Sequence, residues 1–192
     1  MKKIVITGAL GYIGTELCKL YSGFSWKYDV IALDNRFISE RVNELKRRKI
    51  KFVQADILDL ETIKPYIQQA DYVHHLAGIT DVAYVKKDSD KLKDALIEKV
   101  AIEGTRNVLF SLNENATIIF PSTHVVFEGL EERKENLDEN ESTSTFLAYS
   151  TSKVENEQQI KKSGINYAIF RLGSVYGFST DTMRINIMPN LF

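Results

Sequence analysis

The chain has 192 residues, 44% of them hydrophobic, which is enough for one domain with a sizeable core. A formal net charge of −1 lacks the basic excess of a nucleic-acid binder, and the single cysteine, Cys18, excludes an internal disulfide framework and fits a reducing compartment. No apolar run approaches the roughly 20 residues that span a bilayer, and Met1-Lys2-Lys3 leads into a strand broken at Thr7-Gly8 rather than a signal peptide; the expectation is a cytoplasmic protein with neither a membrane nor a nucleic-acid partner.

Along the chain, short apolar runs alternate with amphipathic stretches of helical length. Strand Lys3–Thr7 runs into the turn Gly8-Ala9-Leu10-Gly11-Tyr12-Ile13-Gly14 and a helix over Tyr12–Tyr21. Strand Asp29–Leu33 ends at Asp34 and precedes helix Ser39–Arg48. Strand Lys51–Gln54 stops just short of Asp56 and is followed by helix Leu60–Gln69. Strand Tyr72–His75 opens onto Leu76-Ala77-Gly78, and a long helix covers Lys91–Leu112. Strand Thr117–Phe120 leads to Ser122-Thr123, helix Tyr149–Lys162 follows, and the last strand is Tyr167–Phe170. Lys161 and Lys162 complement the helix C-terminal dipole, and Gly164 supplies its left-handed stop. The strand cores are continuous rather than alternating, as in parallel strands buried on both faces. Strands alternating with helices predict right-handed βαβ units and an α/β fold, a Rossmann-type doubly wound parallel sheet with helices on both faces.

Residues 1–180 are therefore assigned to a dinucleotide-binding domain. The apolar end from Met183 to Phe192 reads as the start, over 181–192, of a truncated substrate-binding region. An exposed apolar patch is expected near Ile185–Phe192. From Glu128 to Ser142 acidic residues dominate, with only Arg133 and Lys134 opposing them. That pattern reads as a solvated surface loop; the functional alternative is a mobile flap beside the active site.

The glycine turn between a strand and a helix has G-x-x-G-x-x-G spacing. Gly8 makes the tight turn, Gly11 admits the phosphates of a dinucleotide, and Gly14 lets the first helix pack closely. The first helical turn places Tyr12 and Ile13 at the same cradle. Asp34 stands 20 residues after Gly14, where a carboxylate accepts hydrogen bonds from the adenosine ribose and repels a 2′-phosphate, so NAD is favoured. Arg36, two residues on, keeps NADP open. Asn35 and Asp56-Ile57 are placed at the adenine end, Asp56 either bonding the adenine amino group or serving as a turn aspartate. Leu76, Ala77 and Gly78 bring small-residue backbone close to the cofactor.

Tyr149 and Lys153 lie one helical turn apart on one face. A phenol ordinarily ionises near pH 10, and a neighbouring ammonium favours the phenolate. Thr123 offers a hydroxyl to polarise the same substrate oxygen. Ser122 is grouped with the cofactor site, and His124 and Ser174 with the substrate. His74 and His75 read as core residues, Cys18 likewise, and no Cys/His cluster suggests a metal.

These segments, with Gly104-Thr105-Arg106-Asn107-Val108-Leu109 and Arg171-Leu172-Gly173-Ser174-Val175-Tyr176-Gly177, resemble the extended short-chain dehydrogenases/reductases. Within these the match is to the NAD-dependent epimerase/dehydratase group acting on nucleotide sugars. The resemblance implies hydride transfer at a sugar carbon, with Tyr149 as acid/base, Thr123 polarising, and Lys153 tuning the phenol and bonding the nicotinamide ribose. It also implies a homodimer formed through the helices Lys91–Leu112 and Tyr149–Lys162. Three positions depart from the family pattern. Ala101 stands where the family has an Asn that braces the active-site strand. His124-Val125 stand where dehydratases carry Asp-Glu, which argues against dehydration, and Ser174 replaces the Asn of R-x-x-N-V-Y-G. The expected function is an NAD-dependent nucleotide-sugar epimerase-type oxidoreductase. The alternatives are an NAD(P)-dependent small-molecule dehydrogenase or ketoreductase, and a non-catalytic dinucleotide-binding module. The 192-residue form is expected to bind NAD without turning over nucleotide sugars.

Overall fold

The computed structural model describes residues 1–80 and 90–179. Its elements follow in chain order: β1 (Lys2–Thr7), α1 (Tyr12–Ser22), β2 (Tyr28–Asp34), α2 (Ser39–Arg47), β3 (Lys51–Gln54), α3 (Leu60–Ile67), β4 (Tyr72–His75), α4 (Lys91–Ser111), β5 (Thr117–Thr123), a 3-10 turn (His124–Phe127), α5 (Ala148–Lys162) and β6 (Asn166–Leu172). The strands form one sheet in the order β3-β2-β1-β4-β5-β6, with every pair parallel. The doubly wound α/β fold expected from the sequence is the one observed. The segment over 181–192 and its expected apolar patch lie outside the described residues.

The unbroken apolar run in β1 has a direct cause. Ile4 and Ile6 point to one face, into a cluster with Cys18, Ala32, Val42 and Leu45 under α1 and α2. Val5 points to the other face, among Ile63, Ile67, Val108, Ile118, Phe120 and Ile160 under α3, α4 and α5. A strand covered on both sides has no solvent face on which to place a polar residue. Close packing continues between layers: a Cβ on Gly104 of α4 would lie 2.3 Å from Ile57 Cδ1.

Two differences from the sequence reading bear on the site. β5 does not stop at Phe120 but continues through Pro121 to Thr123. Proline removes a ladder donor, yet β4 pairs with β5 only as far as Ile119, while β6 accompanies it to Thr123. Pro121 therefore lies where β5 has lost one neighbour. The other difference is the 3-10 turn, which carries the chain away from the strand end, with the Thr123 hydroxyl accepting from Val125 N–H at 3.3 Å. At the far end of α5, Gly164 adopts φ +76° behind Lys161 and Lys162, as its stop signal required.

Candidate active site

The glycine turn is built from backbone contacts. Gly8 sits at φ +68°, and a Cβ there would lie 2.7 Å from Ala77 N. The Leu76–Gly78 segment is thus butted against the turn. A Cβ on Gly14 would fall 2.4 Å from Gly8 O, so Gly14 packs α1 against the turn itself rather than against the sheet. The N–H groups of Ala9, Leu10 and Gly11 are spent on Leu33 O, Asp34 Oδ2 and Gly8 O. Those of Tyr12 and Ile13 open the helix, where no intrahelical acceptor exists, and no side chain among the described residues caps it. No acidic residue stands in that first turn either. The result is a concave backbone cradle with donors at its rim and partial positive charge behind it, suited to a pyrophosphate. From further along, the Tyr12 hydroxyl donates to Gly177 O, and the Ser179 hydroxyl donates to Glu16 at 2.7 Å.

Asp34 closes one side of the cradle. It is buried, and its carboxylate accepts from Leu10 N at 3.0 Å and from Arg36 N and Nε, both at 3.1 Å. Asn35 Nδ2 donates to Asp56 Oδ2 at 3.2 Å, while Asp56 Oδ1 accepts Leu58 N at 2.9 Å. Asp56 therefore performs the turn role and keeps a half-buried carboxylate near Asn35. The Ile57 side chain is core, and its carbonyl accepts from Asn107 Nδ2 at 2.9 Å.

The chemical end is assembled where β5 has parted from β4. Lys153 Nζ donates to Pro121 O at 2.8 Å and lies 4.4 Å from the Phe120 ring centroid and 5.8 Å from that of Tyr149. Burial pushes the Lys153 ammonium down to about 8, against an opposing attraction from Glu157. Thr123, buried at the end of β5, already accepts from Val125 N–H, which leaves its own proton to donate. Tyr149, Lys153 and Glu157 recur at four-residue steps on one face of α5.

Beneath this face lies an ionic knot that the sequence reading missed. Glu157 accepts from Arg171 Nε at 3.0 Å and Nη2 at 2.8 Å, and from Ser122 Oγ at 2.6 Å. Burial opposes ionisation of Glu157, but the hydrogen bonds from Arg171 and Ser122 outweigh it and hold the carboxyl below its ordinary value. The Ser122 side chain, grouped with the cofactor from the sequence, is turned inward to this knot instead. A lone arginine in an otherwise apolar strand, β6, was the available signal.

A second unforeseen contact is made by Glu128. Its carboxylate accepts from Phe146 N at 3.3 Å, Leu147 N at 3.0 Å and the Ser150 hydroxyl. The α5 cap residue, Leu147, has no capping side chain of its own, and Glu128 pins the N–H groups of Leu147 and Phe146 just ahead of the helix, as the acid of a capping box does. Backbone bonds of 2.9 Å from Ser144 N to Val126 O and from Gly129 N to Ser144 O close the same clasp. Glu128 therefore does not belong to the solvated loop expected from the composition, whereas the acidic residues from Glu131 to Glu141 are exposed.

His75 is fully enclosed between Thr7 Oγ1 at 2.9 Å and Thr105 Oγ1 at 3.0 Å, and burial, with the nearby Lys153 charge, lowers it to about 3. It is a neutral core residue, as the sequence suggested. With the Asn156 amide oriented to satisfy its neighbours, its nitrogen donates to the Ala101 and Ser152 carbonyls, both at 3.2 Å. His124 is exposed beside Thr123, and its Nδ1–H donates to Leu172 O at 3.1 Å. Ser174 is exposed in the segment after β6. Among the described residues no group of three or more His, Cys, Asp or Glu could hold a metal, and no helix is long and apolar enough to cross a membrane.

A model of the NAD-dependent epimerase/dehydratase family matches residues 4–191. The chain is 27% identical over 202 residues to the CDP-paratose 2-epimerase of Salmonella typhi, covering 91% of this chain and 58% of that protein. It is 28% identical over 190 residues to the uncharacterized UDP-glucose epimerase YtcB of Bacillus subtilis, covering 91% and 57%. The solved UDP-glucuronic acid 4-epimerase of Bacillus cereus, in complex with UDP-glucuronic acid and NAD, superposes with a TM-score of 0.77 at 26% identity, over 98% of this chain and 60% of that one. The chain thus spans under two thirds of the length of each of these proteins.

Proposed function

The chain belongs to the NAD-dependent epimerase/dehydratase family, and from that premise we propose that residues 1–180 form the NAD-binding and proton-transfer half of a nucleotide-sugar epimerase. The observation that carries the reading is the joint placement of Lys153 against Pro121 O and the Tyr149 ring, one strand end away from Thr123. The residues fit the cofactor. A Cβ at Gly8 or Gly14 would collide with the backbone that shapes the cradle, whose rim donors await a pyrophosphate, and the carboxylate of Asp34 stands at the ribose corner. NAD held in this cradle would supply reversible hydride acceptance at a sugar carbon. Tyr149 takes the proton of the hydroxyl on that carbon and later restores it. Thr123 donates its hydroxyl hydrogen to the same oxygen and so fixes its position. Lys153 lowers the cost of the phenolate by Coulomb attraction. His124 Nε2 and Ser174, both exposed at the carboxyl ends of β5 and β6, face the substrate side.

Two further assignments complete the proposal. A homodimer through the outer faces of α4 and α5 is supported by the exposed Leu92, Leu96 and Phe110 of α4. A cytoplasmic setting is supported by Cys18, a buried free thiol.

The test is turnover of UDP- and CDP-sugars by an active preparation carrying this domain. Tyr149→Phe is expected to lower kcat by roughly a hundredfold or more, the scale of general acid/base catalysis, with NAD affinity little changed. A Tyr149→Phe protein with wild-type turnover would remove the phenol from the mechanism.

A further inference from the structure

The turn that leaves α1 carries large apolar side chains that take no part in the candidate site. Leu20, Phe24 and Trp26, within seven positions of one another, are 59%, 44% and 74% exposed. The turn that presents them is closely built. Phe24 N donates to Tyr21 O at 2.9 Å, and Lys27 N and Tyr28 N donate to Phe24 O at 2.9 and 3.1 Å. Lys2 N donates to Lys27 O at 3.0 Å and ties the turn to the start of β1, while Tyr21 and Tyr28 meet edge to face on its flanks. Phe24 and Trp26 are thus held in water on a fixed support. Cations gather at the same edge. Arg48 Nη1 donates to Ser22 Oγ at 3.3 Å, which sets the end of α2, with Lys46, Arg47 and Lys49, against the end of α1. Arg47 and Arg48 pair with Glu44, Lys2 with Asp71 and Lys19 with Glu16. Lys27, Lys46 and Lys49 are exposed and make no ion pair among the described residues; Asp29 is the acid at this edge outside those pairs. The turn precedes β2 and so lies at the amino ends of the strands, whereas the glycine cradle and Thr123 lie at their carboxyl ends.

From this arrangement we propose that the Phe24–Trp26 turn is a peripheral docking surface for an anionic lipid bilayer. Such a contact needs no spanning helix. Apolar side chains enter the headgroup boundary and neighbouring lysines hold anionic headgroups, two weak signals that anchor together where neither does alone. Tryptophan suits that depth, since its ring is apolar and its indole N–H finds a polar partner there. A bilayer accepts an exposed turn without a matching pocket, and the complementarity it requires is the one of charge that Lys27, Lys46 and Lys49 supply. Docked in this way, the carboxyl ends of the strands face away from the lipid. The cradle and Thr123 stay open to solvent, and the exposed acids from Glu131 to Glu141, which follow β5, are not pressed against a like-charged surface.

Trp26 is the single tryptophan of the chain, so its fluorescence reports the contact directly. The test titrates the 192-residue chain with vesicles of phosphatidylcholine alone and of phosphatidylcholine mixed with phosphatidylglycerol. With the anionic vesicles the chain is expected to co-sediment, and Trp26 emission is expected to shift to the blue and to be quenched by brominated acyl chains. Neutral vesicles should give neither effect, and raised salt should release the chain. Trp26→Ala, read by sedimentation, is expected to weaken binding by about tenfold or more, the worth of one buried aromatic side chain. Lys46→Glu combined with Lys49→Glu should weaken it with the fluorophore intact. All three positions are exposed, and each variant is checked for an unchanged thermal melt. Unshifted Trp26 emission and no sedimentation with anionic vesicles would overturn the proposal. A shift produced by soluble polyglutamate but not by vesicles would overturn it in favour of an acidic polypeptide. Self-association of wild type that is lost in Trp26→Ala, without vesicle binding, would give the surface to a second copy of the chain instead.

Discussion

The two ends of the candidate site are built from different materials. The cofactor end, around β1, α1 and the close of β4, is shaped by what is missing: side chains at Gly8 and Gly14, whose Cβ atoms would meet backbone at 2.7 and 2.4 Å. The chemical end, around β5 and α5, is shaped by buried charge: Lys153 on Pro121 O, and Glu157 on Arg171 and Ser122. Backbone cannot give way and does not titrate. Buried charge does titrate, and it fails when one partner is lost. The first end should therefore be brittle to volume and indifferent to pH, and the second tolerant of volume and sensitive to both pH and charge deletion.

The largest effect on cofactor binding is expected at the first end. Gly14→Val drives a branched side chain into Gly8 O and Ala9 Cα, atoms with no rotamer to relax. Overpacking of this kind costs about 1–3 kcal/mol, and here it also closes the cradle, so NAD+ titration should show no binding. A Gly14→Val protein that binds NAD+ normally would break the comparison.

Next comes the ionic knot. Glu157→Gln leaves the Arg171 guanidinium, with a side chain 14% exposed, without its counter-charge. Breaking a buried pair costs about 3–5 kcal/mol, measurable by urea denaturation, while the glycine cradle should still bind NAD+. The pH dependence follows from the depressed carboxyl. The stability Glu157 contributes is present above the ordinary carboxylate range and is lost as pH falls through its lowered value. Glu157→Gln should flatten that acid limb.

Lys153 should give a pH slope of the same sign in a more alkaline window, although its burial costs stability where that of the paired Glu157 does not. Its folded value of about 8 lies below the ordinary 10.5, so the unfolded chain binds more protons between the two. Wild-type stability measured relative to Lys153→Met should rise with pH across that window. A flat difference would mean that the ammonium is better solvated than its position beneath Phe120 and Tyr149 implies. The smallest effect is expected at the remote cap: Glu128→Ala should cost about 1 kcal/mol, as for loss of a helix N-cap, and fray α5 at Tyr149. Amide exchange at Thr151, whose N–H closes the first turn onto Leu147 O at 3.0 Å, would show the fraying directly.

The same division explains what was legible in the sequence. Glycines and strand cores act locally, so β3 and β4 fall on the residues expected, and so does the left-handed turn at Gly8. β5 was cut short because Pro121 reads as a strand breaker until one sees that β4 has already left its side. Glu128 and Glu157 could not be assigned from composition, because their partners lie 18 to 22 positions away for Glu128 and 35 positions away, at Ser122, for Glu157. Glu128 in particular is chemically indistinguishable from the solvated acids that follow it.

The contact of the Tyr12 hydroxyl with Gly177 O has a consequence for the order of events in folding. The two residues are 165 positions apart, and Glu16 and Ser179 are 163 apart. A ribosome that has released α1 must deliver the rest of the sheet before that helix acquires these contacts. Closing so long a loop is entropically costly and slow. The helix that opens the cofactor cradle is therefore among the first elements synthesised and among the last to be completed.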